Sequence, residues 1–322
     1  MWVAVTFGIL VAVGLGAYAA WAAYAVGNGA EVWPFVVGLP FAYLAFPLFF
    51  TTIWMFLGWW WRSARPAEAA LTPAESAGLY WEEFRSIAQA PKMIFYALLM
   101  RDPPPAKASL PVLLVHGIGC NAAVWTSMRR YLEREGLGPV YALSYGPPFA
   151  SIETFAPQVA TKIAQIERDT GATQVVVVGH SMGGLVARTY IRRYGGAHVR
   201  RLITLGTPHA GSRHAWLMSG DSLAEMRPGS AYLAELKDRD DNEAGVPIVS
   251  LWSWHDSMVT PQTSSRVDWA ENIVIDGVAH NALLGDRNVQ QHVADEIRKA
   301  RAVPTPTSGS PASTARTPSA RV

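Results

Sequence analysis

The chain has one cysteine, Cys120, so no internal disulfide can form and the core must hold without covalent cross-links. That fits a reducing compartment. Charge is also scarce: Asp, Glu, Lys and Arg make up 16% of 322 residues, and the formal balance of +2 offers no broad field to recruit nucleic acid. Arg188, Arg192, Arg193, Arg200 and Arg201 do cluster. They read as a solvated helix face, or as contacts for anionic headgroups. No Walker A motif, zinc-ligand spacing or complete dinucleotide fingerprint occurs; Gly117-Ile118-Gly119 lacks a third glycine and continues as Cys120-Asn121-Ala122.

What the chain has in excess is apolar surface: half its residues are hydrophobic, and 13 are tryptophan. The excess sits at the N-terminus. Trp2 to Val26 carries no charged side chain, about 37 Å of helix and enough to cross a bilayer core. A second apolar stretch, Val32 to Trp61, contains Pro34, Pro40 and Pro47 and closes on Trp59-Trp60-Trp61-Arg62, an aromatic belt followed by a cation. Two membrane helices in residues 1–65 are expected. The loop between them has Glu31 and no Lys or Arg, whereas Arg62 and Arg65 follow the second, so the positive-inside rule puts both termini in the cytoplasm. A cleaved signal peptide ending near Ala17-Tyr18-Ala19 competes with this reading; a second segment that fails to span would export the rest.

Residues 66–107 form a juxtamembrane linker or interfacial segment. Leu79, Tyr80, Trp81, Phe84 and Ile87, then Met93 to Met100, either lie at the membrane surface or pack on the catalytic domain as its first elements. Pro103-Pro104-Pro105 is a stiff spacer. Residues 108–302 carry the catalytic pattern, and 303–322, rich in Pro, Ser, Thr and Ala without periodicity, read as a disordered tail.

That pattern centres on Gly179-His180-Ser181-Met182-Gly183, which comes after the β-branched run Val175 to Val178 and leads into a helix-like segment. Strand, strained turn and helix make a nucleophile elbow, with the Ser181 hydroxyl exposed above the sheet edge. Upstream, Leu110 to Val115 reads as a buried strand ending in His116-Gly117-Ile118-Gly119. The backbone N–H groups of Ile118 and Met182 are the expected oxyanion donors. Downstream, Val246 to Trp252 is a strand followed by Asp256, and Asn272 to Asp276 a strand followed by His280. The order Ser181, Asp256, His280 is serine, acid, histidine: His280 takes the Ser181 proton while Asp256 fixes its tautomer. Asp276 and Asp268 compete for the acid. Asp238, Asp240, Asp241 and Glu243 read as a solvated helix end and loop. His116 and His180 lie inside the motifs in packing or pocket roles, and His209 comes after Thr207-Pro208, where it can line a pocket.

Three blocks, Val115-His116-Gly117-Ile118-Gly119, Gly179-His180-Ser181-Met182-Gly183-Gly184 and Leu202 to Ser212 (LITLGTPHAGS), resemble bacterial triacylglycerol lipases and related lipid esterases. The resemblance spans about residues 110–300. It implies an α/β-hydrolase fold, a mostly parallel sheet flanked by helices, here preceded by two transmembrane helices. It also implies a lipid or other hydrophobic ester as substrate, an acyl-enzyme on Ser181 and no organic cofactor. Some members bind calcium, but no dense cluster of oxygen ligands stands near the acid and histidine, so no metal is expected. The 210–245 stretch takes the place of a short cap, where Leu217, Met218, Leu223 and Met226 are either acyl-chain contacts or helix-packing residues. The resulting expectation is a multi-pass protein of a bacterial inner membrane with its hydrolase in the cytoplasm, no nucleic-acid partner and no obligate protein partner. The same fold could serve a thioesterase, amidase or acyltransferase, or a membrane scaffold that only binds.

Overall fold

The computed structural model describes residues 2–89, 96, 100–238 and 244–302. Its centre is a sheet of six parallel strands: β1 (Val112–Val115), β2 (Val140–Leu143), β3 (Val175–His180), β4 (Val199–Leu205), β5 (Ile248–Trp252) and β6 (Glu271–Val274), in the order β2-β1-β3-β4-β5-β6. Parallel pairing requires crossovers, and helices α4 (Thr126–Arg134), α5 (Ala156–Thr170), α6 (Met182–Tyr194) and α9 (Arg287–Ala302) cover the two faces. Side chains alternate across each strand. Leu113, Val115 and Val177 therefore pack with Ile163 of α5 and Leu185 of α6, whereas Val112, Leu114, Val176 and Val178 pack with Trp125, Met128 of α4 and Val293 of α9. Burial on both faces is why these strands read as unbroken apolar runs.

Between β4 and β5 lie two short helices, α7 (Asp221–Glu225) and α8 (Ala231–Asp238). Leu223 and Met226 are buried in the core with Leu185 and Tyr232, so of their two readings packing is the one observed. Leu217 and Met218 stay exposed, at 48% and 40%. The arginine cluster is a correction to the solvated-face reading: Arg188 is buried, Arg192 pairs with Glu153 and Glu235, and Arg201 pairs with Glu296. Much of that positive charge is spent inside the protein.

Helices α1 (Trp2–Gly27) and α2 (Trp33–Trp60) run antiparallel, with the Tyr18 hydroxyl donating to the Phe35 carbonyl at 2.8 Å and Trp21 meeting Phe35 edge to face at 5.0 Å. Among the described residues, α2 is the one helix long and apolar enough to cross a membrane; the described side chains of α1, from Val13 to Gly27, form a shorter apolar stretch. Pro40 and Pro47 lie within α2 without ending it.

One face of α2 is dressed by protein. Pro47, Thr51, Trp54 and Gly58 are buried at helical spacing, with the Trp54 ring 4.8 Å from that of His214. Phe46, Phe49, Phe56 and Trp60 stay exposed. A Cβ on Gly58 would come within 2.9 Å of the Ser257 carbonyl, so Gly58→Leu should lower both the melting temperature and turnover, by roughly the 1–3 kcal/mol of an overpacked contact. An unaffected variant would show that this contact does not form.

Helix α3 (Pro73–Ala88) starts at a Thr72/Glu75 capping box and runs back along α2, joined by Tyr43 to Ala88 (2.8 Å) and Thr52 to Tyr80 (2.7 Å). Leu79 and Glu83 are buried, whereas Trp81 is exposed and stacks on Phe84. The inner face of this segment thus packs on the protein, as one of its two readings had it. The 93–99 run (apart from residue 96), the acids at 240, 241 and 243, and the 303–322 tail lie outside the described residues.

Candidate active site

Strand order reverses between β1 and β3, and an open parallel sheet forms its crevice at that point, outside the carboxyl ends of the strands. The turn after β1 and Ser181 after β3 meet there. Ser181 has φ 55° and ψ −129°, a left-handed conformation unusual for a non-glycine residue, and its N–H donates to the Leu205 carbonyl at 2.8 Å. Two glycines make the strained turn feasible. A Cβ on Gly183 would collide with the carbonyls of Val115 and His116, and one on Gly117 would lie 2.7 Å from the Ser181 Cβ and 3.3 Å from its Oγ. The 116–119 turn is therefore seated against Ser181, with Ile118 half-buried and Met182 opening α6.

The acid and the histidine arrive from β5 and β6. His280 Nδ1 and Asp256 Oδ2 are 2.8 Å apart, both fully buried, while Asp256 Oδ1 accepts the backbone N–H groups of Met258 (2.8 Å) and Val259 (2.7 Å). A carboxylate held this way only accepts, so Nδ1 carries the proton and Nε2 is left as the basic nitrogen. Burial alone would raise the Asp256 pKa, but the His280 charge and the three hydrogen bonds reverse it to a net lowering. For His280, burial pulls the pKa down, while the Asp256 charge, the hydrogen bond to it and the Glu83 charge outweigh burial and raise it. Asp276 and Asp268 are exposed, on the loops flanking β6.

The other histidines in the motifs serve as walls. His180 Nε2 donates to the His280 carbonyl at 3.0 Å, its ring lies 4.7 Å from that of His280, and burial lowers its pKa to about 3. It thereby sets His280 next to the residue preceding Ser181. His116 stacks flat on Tyr145 at 4.1 Å and donates from Nδ1 to the Gly117 carbonyl, and burial holds it neutral with a pKa of about 4. His209 accepts from Arg188 at 3.2 Å and donates to Thr204 at 3.1 Å, an arrangement fixed by arginine having only donors. Burial, then Arg188, push its pKa well down. His209 is therefore tied into the interior behind the site.

Several partners escape sequence reasoning. The Tyr145 hydroxyl donates to the His116 carbonyl at 2.5 Å, Gln262 donates to the Asp256 carbonyl at 2.9 Å, and Glu83 from α3 bonds the residues next to Asp256 and His280. Only Glu83 leaves a trace in the sequence: an acid midway between Leu79 and Ile87, on one helix face. Among the described residues no group of three His, Cys, Asp or Glu side chains suits a metal ion.

The family profile of palmitoyl protein thioesterases matches residues 111–238. A triacylglycerol lipase of Pseudarthrobacter phenanthrenivorans is 33% identical over 119 residues, 34% of this chain and 36% of that protein. One of Burkholderia plantarii is 33% identical over 119 residues, 34% of this chain and 32% of that protein. The chain thus spans about a third of the length of these curated relatives. In fold it is similar to a mature Bacillus licheniformis lipase (TM-score 0.52, 22% identity, 61% of this chain and 93% of that one). It is also similar to Aspergillus fumigatus lipase B (TM-score 0.57, 15% identity, 74% and 77%). Parallel sheet and elbow agree with an α/β-hydrolase fold, and over about a third of its length the chain is similar in sequence to triacylglycerol lipases.

Proposed function

We propose that the protein is a membrane-anchored serine esterase that hydrolyses lipid or other hydrophobic acyl esters through Ser181, His280 and Asp256. The observation that carries this reading is the buried 2.8 Å pair of His280 Nδ1 and Asp256 Oδ2, with the His280 carbonyl bonded by His180, the residue before Ser181 and its strained elbow. His280 Nε2 takes the Ser181 proton as Oγ attacks the ester carbonyl. The oxyanion forms against the backbone N–H groups of Ile118 and Met182, each such donor being worth about 3–4 kcal/mol. The protonated histidine then gives its proton to the departing alcohol, and water, activated by the same imidazole, releases the acid. No cofactor takes part in these steps. Exposed Leu217 and Met218, beside exposed Trp216, offer apolar surface to an acyl chain.

Because His280 must be neutral to act and its pKa is raised, the rising limb of kcat/KM against pH should lie above the ordinary imidazole value of about 6.5. A limb centred below that value would contradict the Asp256–His280 coupling. A panel of chromogenic esters from short to long acyl chains tests the substrate class directly. Activity rising with chain length is expected, and no turnover of any ester would refute it. A thioesterase is the second reading, favoured by the matched family profile over 111–238; the thioester counterparts of the same acyl chains decide between the two by their relative kcat/KM.

Anchoring rests on the apolar α1 and α2, and the cytoplasmic orientation in a bacterial inner membrane on Arg62 and Arg65 against Glu31. An alkaline phosphatase fused after residue 322 should be inactive in cells, and a strongly active fusion would place the hydrolase outside.

A further inference from the structure

Glu83 is a fully buried carboxylate carried by α3, a helix that precedes β1 and belongs to the N-terminal segment. Its Oε1 accepts from the Ser257 hydroxyl at 2.8 Å and from the Asn281 side-chain amide at 2.9 Å. Its Oε2 accepts from the backbone N–H groups of Asn281 at 2.9 Å and Ala282 at 3.2 Å. Ser257 comes directly after Asp256, and Asn281 directly after His280. One side chain from outside the sheet therefore grips the residue after the acid and the residue after the histidine.

We propose that Glu83 is a positioning residue, whose carboxylate fastens the Asp256 loop to the His280 loop and makes α3 part of the active site. The inference rests on the hydrolase reading above. Four donors surround Glu83, the environment of an ionised carboxylate, and a charge buried there persists only because every lone-pair direction is used. Burial raises its pKa, opposed by the His280 charge and by the Ser257 and Asn281 bonds, with Asp256 adding to the rise. In return the Glu83 charge favours protonated His280. The other titratable groups around this imidazole are Asp256, His180 and His214.

Removing the carboxylate leaves two backbone N–H groups buried without an acceptor and frees both loops. Glutamine is different. With its oxygen toward the two backbone N–H groups and its NH2 toward Ser257 and Asn281, the serine hydroxyl can turn to accept and the asparagine amide can present its oxygen. The geometry survives while the charge is lost.

The test uses the full chain and a chromogenic ester, with kcat, KM, melting temperature and the pH profile measured for wild type, Glu83→Ala and Glu83→Gln. Glu83→Ala should lose on the order of 10²-fold in kcat, the scale of a small misplacement of reacting groups, with KM little changed. Glu83→Gln should recover most of kcat, yet its rising pH limb should move to lower pH because a negative charge near His280 is gone. A purely structural glutamate would leave that limb in place. Wild-type kcat in a folded Glu83→Ala protein, or an unmoved limb in Glu83→Gln, overturns the inference. If Glu83→Ala does not fold, the glutamine limb decides alone. A wild type that neither hydrolyses esters nor reacts with a fluorophosphonate refutes the hydrolase reading itself and this inference with it, whereas an active wild type with indifferent variants refutes the Glu83 role only.

Discussion

Replacing Ser181 with alanine should abolish ester hydrolysis while leaving the fold intact. The side chain projects from an elbow whose geometry is set by the glycines around it, so losing one hydroxyl removes the nucleophile and little packing. His280→Ala should be close to it in effect, because a serine hydroxyl without a base is a weak nucleophile at neutral pH. Residues that act as one unit are not additive. Each single variant should lose on the order of 10⁶ in kcat, and the Ser181/His280 double variant should be little worse than either. Steady-state kinetics on the three proteins checks this. Additive losses would mean that Ser181 and His280 work in separate steps.

Asp256→Asn should cost on the order of 10⁴ in turnover, because an amide facing Nδ1 permits the wrong imidazole tautomer. The Met258 and Val259 N–H groups that now hold Oδ1 can hold the amide oxygen, which turns the amide NH2 toward Nδ1 and makes the histidine accept where it should donate. Asp276→Asn should leave turnover within the range of an ordinary surface change, since Asp276 is exposed. A larger loss at Asp276 than at Asp256 would move the acid to the end of β6.

The sheet and the elbow were legible because their constraints are local. A strand buried on both faces must be apolar along its length, as Val175 to Val178 is, and a reversal as tight as that at Ser181 needs glycine where the backbones of Val115 and His116 approach. β2 carries less signal, only four residues after Gly138-Pro139. What was misread or left open has a common cause in distance. Arg188 has the spacing of a solvated helix residue, and only the fold brings His209 and the Leu236 carbonyl to it. Leu223 and Met226 suit an acyl pocket and a core equally well in composition. Residues 66–107 read as a linker, an interfacial segment or the first elements of the domain, because the groups that α3 touches are distant in sequence: Glu83 meets Ser257 and Asn281, 174 and 198 positions away. An apolar period shows that a helix has a buried face, not which loop it buries.

Reaction of the full-length protein with a fluorophosphonate, followed by peptide mass mapping, tests the central claim most directly. One adduct is expected, on the peptide carrying Gly179 to Gly183, at Ser181, formed in the wild type and absent from both Ser181→Ala and His280→Ala. Labelling of another residue, or ester hydrolysis that persists in Ser181→Ala, would contradict it.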